Sequence, residues 1–193
     1  MAIDRIPIKE NPQLFDKAIA EIQRGLADNL GWLNHSFGRA ERLVKMVGTK
    51  RVYTPNVYVN GNDYLPLSPD STLGNFSFFV LDDPQKVDWQ PGIQGSYNVP
   101  FSLIVWFDLR RVYNAESNRN TEYLKAQILR VLDGRGGWHL TDGHILTTRI
   151  YEQNENIYRG FNISEIDNQY LMHPFGGFRI DGILEYDELC ITE

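Results

Sequence analysis

The segment His139-Leu-Thr-Asp142-Gly-His144 sets two imidazoles and a carboxylate within short reach of one another, a set that could hold a divalent metal. Its spacing is not that of an H-E-x-x-H helix, and Gly143 marks a turn, so it reads as a polar loop between a helix and a strand. Gly134-Arg-Gly-Gly137 could cradle a phosphate only if it joined a strand to a helix start and were followed by Lys-Ser or Lys-Thr. It does neither, and its glycines are expected to stop a helix. Nucleophiles fare no better. There is no G-x-S-x-G elbow, and the single cysteine, Cys190, lies three residues from the end of the sequence, where burial against a catalytic base is hard to arrange. Asp82-Asp83 and Asp187-Glu188 are adjacent pairs, whose side chains point to opposite faces of an extended chain, so they read as solubilising charges and not as an acid/base couple. The expectation is a protein that is not an enzyme, with no catalytic residues, no cofactor and no metal site.

The elements that would position any chemistry follow from periodicity. Asn11-Pro12 is a helix-start pair, and Leu14, Phe15, Ala18, Ile19, Ile22 and Leu26 then fall on one helical stripe. Phe37, Ala40, Val44 and Val47, closed by Gly48, predict a second, shorter helix. From Arg51 the period changes to that of strands. RVYTPNVYV is a strand that Pro55 assigns to an edge or a bulge, Asn60-Gly61-Asn62-Asp63 turns it into YLPL as a hairpin, and NFSFFVL from Asn75 is a third strand. Residues 82–99 are rich in Pro, Gly, Asp and Gln and predict a long loop carrying Trp89 and Tyr97.

PFSLIVWFDLRR, residues 100–111, is apolar from Phe101 to Phe107 at every position but Ser102. That run is too short to span a membrane and too continuous for a strand with one wet face, so it predicts a central strand covered on both sides. Asn120 or Thr121 then caps a helix whose Leu124, Ile128, Val131 and Leu132 share a face, Ile145–Tyr151 is a strand, and residues 154–170 carry no clear pattern. In GFRIDGILEY, Phe178, Ile180, Leu184 and Tyr186 alternate with Arg179, Asp181 and Glu185, the period of a strand with one wet face. Only one helix lies between successive strands, which excludes parallel βαβ alternation. The expectation is a single domain, 1–193, of the α+β class, with a mostly antiparallel or mixed sheet and helices on one face.

Composition narrows the function classes. A net charge of -6 disfavours a general nucleic-acid binder, because neutralising phosphates needs a basic face, and the same charge is repelled by an acidic membrane surface. One cysteine permits no intrachain disulfide, the opening MAIDRIPIKENPQ has no apolar core of a signal peptide, and no segment is long enough to span a bilayer, so the expected compartment is a cytoplasm. Charge is also uneven. Residues 1–50 carry eight basic and six acidic side chains, and residues 151–193 carry two basic and nine acidic ones. Two solvated surfaces would account for this, and so would opposite ends of the chain meeting within one molecule or between neighbours. The aromatics, four Trp, ten Tyr and ten Phe, divide between a core and interface contacts.

Four stretches, LFDKAIAEIQRGL, FSFFVLDDP, VPFSLIVWFDLRRV leading into NTEYLKAQILRVL, and GFRIDGILEYDEL, give the chain a layout that resembles the small neck proteins of long-tailed bacteriophages and prophages, of the tail-terminator or tail-completion type. The resemblance implies a tail-terminator-like fold and a structural subunit forming a homo-oligomeric ring, often hexameric, at the end of the tail tube. Tail-tube and neck proteins would be its partners, with DNA passing through without sequence-specific binding and no membrane involved. It implies a place in the virion, reached by assembly in the cytoplasm of the host bacterium. In such a ring, Arg39, Arg42 and Lys45 near the start and Glu185 and Asp187 near the end are the candidate charged interface residues, with Trp89 and Tyr97 as the aromatic ones. A neighbour, or the 82–99 loop, would cover the second face of the central strand, and the acidic end would line a channel past which a phosphate backbone slides. The other class left open is a small-molecule-binding or enzymatic α+β domain whose second sheet face lines a pocket.

Overall fold

The computed structural model describes residues 3–59, 64–69, 72–81, 86–88, 96–114, 119–134, 140–141, 143–162 and 168–187. Along them run helix α1 (Phe15–Asn29), strands β1 (His35–Arg39), β2 (Glu41–Val47), β3 (Lys50–Tyr58), β4 (Tyr64–Pro66), β5 (Phe76–Leu81), β6 (Lys86–Asp88) and β7 (Ser96–Asp108). Helices α2 (Leu109–Tyr113) and α3 (Thr121–Leu132), strand β8 (Gly143–Tyr151), helix α4 (Asn154–Ile157), a 3-10 turn at Asn168–Leu171 and strand β9 (Phe175–Asp187) complete them. The fold is α+β. The main sheet has the order β1-β5-β7-β9-β8, with β6 also paired to β7, and a second sheet has the order β2-β3-β4. Among the described residues only β1 and β5 run parallel, and every other pairing is antiparallel.

β7 is the central strand that its apolar run requires. One face carries Val99, Phe101, Leu103, Val105 and Phe107, all buried together with Phe79, Phe178, Ile180 and Leu184 against the helical layer. That layer is α1, through Phe15, Ala18, Ile19, Ile22 and Leu26, and α3, through Leu124, Ile128, Val131 and Leu132. The Asn120 side chain caps α3 by accepting from Tyr123 N at 3.2 Å, and Gly134 lies beyond its end at φ +70. α1 differs from expectation at its start. Asn11 does not cap it; Asn11 and Leu14 both take φ +48, and the helix begins at Phe15.

The second face of β7 is filled by the chain itself. Ile104 and Trp106 lie with Phe37, Phe76 and Phe78 in a second core that Val57 and Leu67 enter from the small sheet and Ile157 and Tyr158 from the segment after β8. Rings stack through it: Trp106 lies 5.5 Å from Phe76 and 5.6 Å from Phe175, and its indole N–H donates to Tyr170 O at 2.7 Å. Neither a neighbour nor the 82–99 segment is needed to cover this end of the strand. That segment is also not a continuous loop. β6 pairs with β7 at Val87–Tyr97, so both the start of β7 and Tyr97 belong to the sheet.

Residues 37–47 are strands and not a helix. Phe37, Ala40, Val44 and Val47 fit a helical stripe equally well, but Glu41–Val47 pairs in full with Lys50–Asn56 through a two-residue turn. Gly48, at φ +62, makes that turn and does not end a helix, a conformation in which a Cβ would be strained. Pro55 sits in the middle strand of the small sheet and not at an edge. Its carbonyl accepts from Leu67 N at 2.8 Å, but its donorless nitrogen faces the same side and cannot return that bond, and β4 ends at Pro66.

Candidate subunit interface

The β2–β3 hairpin is built like a strand pair with a core face but extends beyond the core. Val52 and Val57 on β3 are buried, whereas β2 is exposed at six of its seven positions, with Val44 54%, Met46 62% and Val47 50% accessible. Three apolar side chains left in water on one short edge strand form a contact surface or an aggregation hazard. The hairpin is nevertheless held firmly. Asn162 N donates to Tyr53 O at 2.8 Å, Tyr53 N donates to Asn162 Oδ1 at 2.9 Å, and the Arg42 guanidinium lies 5.6 Å from both the Tyr53 and the Phe161 ring. Tyr58 and Tyr64, both exposed, meet edge to face across β3 and β4.

The remaining part of the second face of the main sheet lies beyond the reach of the small sheet. In register there, Pro100 pairs with Ile183 and Ile183 with Leu146, which is 52% exposed. The next rung holds Glu185 and His144, whose Nε2 lies 2.7 Å from Glu185 Oε2. β8 is an edge, since among the described residues it pairs with β9 alone. The opposite edge, β1, is closed instead: Ser36 N donates to Arg5 O at 2.9 Å as the N-terminal segment runs alongside.

Between the covered and uncovered ends of this face sits a charged network that the alternation of β9 did not reveal. Arg179 should face solvent by its period, yet it is 1% exposed. Its Nε donates to Asp181 Oδ1 at 2.7 Å and its Nη1 to Arg159 O at 3.2 Å, while Ser102 Oγ donates to Asp181 Oδ1 at 2.7 Å and Arg159 Nη2 to Asp181 Oδ2 at 3.1 Å. A buried guanidinium needs such a carboxylate, because charge moved out of water is tolerated only when paired. The sequence signal for it existed: Ser102 is the one polar interruption in the apolar run of β7, and it pairs directly with Asp181.

The expected interface residues are scattered. Lys45 and Arg42 share the exposed hairpin, Arg39 is exposed at the end of β1, and Glu185 lies on β9 beside His144. Asp187 is the last residue of β9, its backbone paired with Ser96. Tyr97 stacks on Tyr186 at 5.0 Å and packs against the main core. Trp89 lies outside the described residues, as do His139, Asp142, Arg135-Gly-Gly137, Cys190, Asp82-Asp83, Glu188 and the 60–63 turn. The sequence holds no local signal for the exposure of Val44, Met46 and Val47, because a helical stripe fits residues 37–47 as well as a strand pair does. A small cleft of about 190 Å³ at Leu132, Asp133, Gly134, Leu140, Gly143, His144 and Ile145 lies at the end of α3. Among the described residues no three His, Cys, Asp or Glu side chains are grouped to hold a metal, and no helix is long and apolar enough to cross a membrane.

No known protein-family model matches this chain, and no curated protein matches it in sequence.

Proposed function

We propose that the chain is a structural subunit of a phage or prophage neck, of the tail-terminator or head-tail joining type, that assembles head to tail into a ring at the end of the tail tube. One observation supports this most: the anchored β2–β3 hairpin presents Val44, Met46 and Val47 to solvent on a strand that contributes almost nothing to its own core. A heterologous ring joins two unlike patches. The hairpin is one, apolar and basic through Arg42, Lys45, Lys50 and Arg51. The other is the open end of the second sheet face, with Pro100, Ile183 and Leu146 beside Glu185 and, further along β9, Asp187. Apolar contacts would hold neighbours together, while the charges orient them and set the association rate. Six copies are the expected number, in the virion and, during assembly, in the host cytoplasm. The carboxylates of residues 151–193 that face the channel would keep duplex DNA from adhering.

Light scattering across a salt series, with negative-stain imaging, tests this. A ring is expected that weakens on replacing Met46 and Leu146 by Ser. A monomer that also fails to add to isolated tail tubes would overturn the reading.

A further inference from the structure

Residues 3–10 form a strap across the outer edge of β1, the side of that strand turned away from β5. Ser36 meets it there with both backbone groups. Its N–H donates to Arg5 O at 2.9 Å, and its carbonyl accepts from Gln23 Nε2 at 2.8 Å, the same amide donating to Pro7 O at 3.2 Å. The Arg5 guanidinium donates to Ala27 O at 2.8 Å and to Leu30 O at 3.3 Å, satisfying carbonyls at the C-terminal end of α1. Lys9 pairs with Asp16 in the first turn of that helix, and Ile3 packs against the second core. None of residues 3–10 is itself buried. The link from this strap to α1 is strained. Leu14 takes φ +48 and ψ -119, a conformation suited to glycine and disfavoured once a Cβ is present, and Asn11, at the other end of the link, also has φ +48. Leu14 gains little burial in exchange, since it is 44% exposed.

We infer that residues 3–10 are exchanged between copies of this chain: the strap leaves its own β1 and lies across β1 of a second copy, with residues 11–14 opened into an extended connection. The second copy offers the same Ser36 edge, the same Gln23 amide and the same α1 carbonyls, so the contacts of the strap are remade in full. What changes is the link. Folding the strap back onto its own chain requires the bend at Leu14, and reaching across to a neighbour does not. A short connection under strain is the condition that favours such exchange. The exchanged strap also closes the β1 edge of its host, so no row of free backbone groups is left at that edge in either arrangement.

Two single-cysteine forms of the full chain, both with Cys190→Ser, test the exchange. One carries Asp4→Cys in the strap and the other His35→Cys on β1, a position whose ring Nδ1 lies 3.1 Å from Asp4 O. They are mixed, unfolded in urea, refolded together at high concentration and treated with a short thiol-to-thiol cross-linker. A product of twice the chain mass that joins one chain of each kind is expected. Leu14→Gly accepts the bend and should lower the yield of that product about tenfold. Leu14→Pro forbids the bend, because its ring fixes φ near about -65°, and should raise the yield. Leu14 is exposed and precedes the first residue of α1, so both variants should fold, which circular dichroism and urea unfolding verify. The inference is overturned by a chain carrying both cysteines that cross-links internally while the mixture gives no joined product, with or without Leu14→Pro. It is overturned equally by a yield that neither change at Leu14 alters. The ring can fail its own test without altering either result, because the polar partners of the strap lie on α1, its C-terminal cap and β1 and not on β2 or β8.

Discussion

The two faces of β7 are equally dry at one end of the strand and diverge at the other. Helices α1 and α3 cover the first face along its length, so Val99 through Phe107 meet only apolar partners there. The small sheet covers the second face only around Ile104 and Trp106, after which come Ser102 with its buried Arg179–Asp181 pair and then the open Pro100 rung. A cover shorter than the strand beneath it creates a border, and charged groups at a border can be buried without being cut off from solvent. The first face is where the chain stores stability. The second gives up part of that cover and leaves Leu146 in solvent, at the patch proposed above as an interface.

Removing one member of the buried pair should separate the faces most sharply. Asp181→Ala leaves Arg179 buried without its carboxylate and should cost about 3–5 kcal/mol in urea unfolding. Replacing both, Arg179→Met with Asp181→Leu, should recover most of that loss, because an apolar pair of similar volume escapes the desolvation penalty. Equal losses in the single and double variants would mean that the network holds the face by more than charge pairing. On the dry face, Leu103→Ala should cost about 3 kcal/mol through its cavity, and no companion substitution that alters charge should rescue it. One position along the strand, Ser102→Ala should cost about 1 kcal/mol, the worth of one hydrogen bond to a carboxylate that retains others.

A pH scan sharpens the boundary where β7 ends. Burial pushes the Asp108 carboxyl up, but the hydrogen bonds from the Arg110 side chain and backbone, with the charges of Arg110 and Arg111, hold it below its ordinary value. A lowered folded-state pKa gives stability that is present above the unfolded value and is lost as pH falls through the folded one. Acid unfolding should therefore steepen below about pH 4. Asp108→Asn should flatten that limb and lower stability at neutral pH, and an unchanged acid limb would show that Asp108 does not govern it.

Much of this arrangement could be read from the sequence, and the failures share a cause. The amphipathic stripes of α1 and α3, the central place of β7 and the strand at Ile145–Tyr151 follow from local periodicity, which tertiary contacts left intact. Residues 37–47 depart from the helical expectation because i, i+3, i+4 spacing of apolar residues also occurs in a hairpin. What decided it was pairing with residues 50–56, a nonlocal fact that a short window does not contain. The burial of Arg179 departs from expectation for a related reason. Its alternation is correct, but the identity of the solvent-side layer depends on Ile157, Tyr158 and Arg159, from the stretch that showed no pattern. The interface charges were legible as charges, and their grouping was not: Arg42 is held between two rings, and Tyr97 belongs to the core.

The smallest expected effect on stability belongs to the hairpin proposed as an interface. Met46 and Val44 are exposed on β2, so Met46→Ser with Val44→Ser should change unfolding free energy by no more than about 0.5 kcal/mol each, since surface substitutions remove little buried area. β2 remains tied to β3 by its ladder, and the Asn162–Tyr53 bonds and the Arg42 stack anchor the base of the hairpin without either side chain. Self-association should nevertheless be lost, because the two substitutions remove the apolar part of one patch while leaving Lys45, Lys50 and Arg51 to steer encounters. The contrast with Leu103→Ala is the test of the two-face comparison. A hairpin that serves only the fold would lose stability and association together, whereas a hairpin that serves assembly would keep the first and lose the second. Sedimentation and urea unfolding on the same preparation measure both. Retained association in the double variant would shift the interface to the Leu146 side alone, and Leu146→Ser in the same assay would then be expected to abolish it.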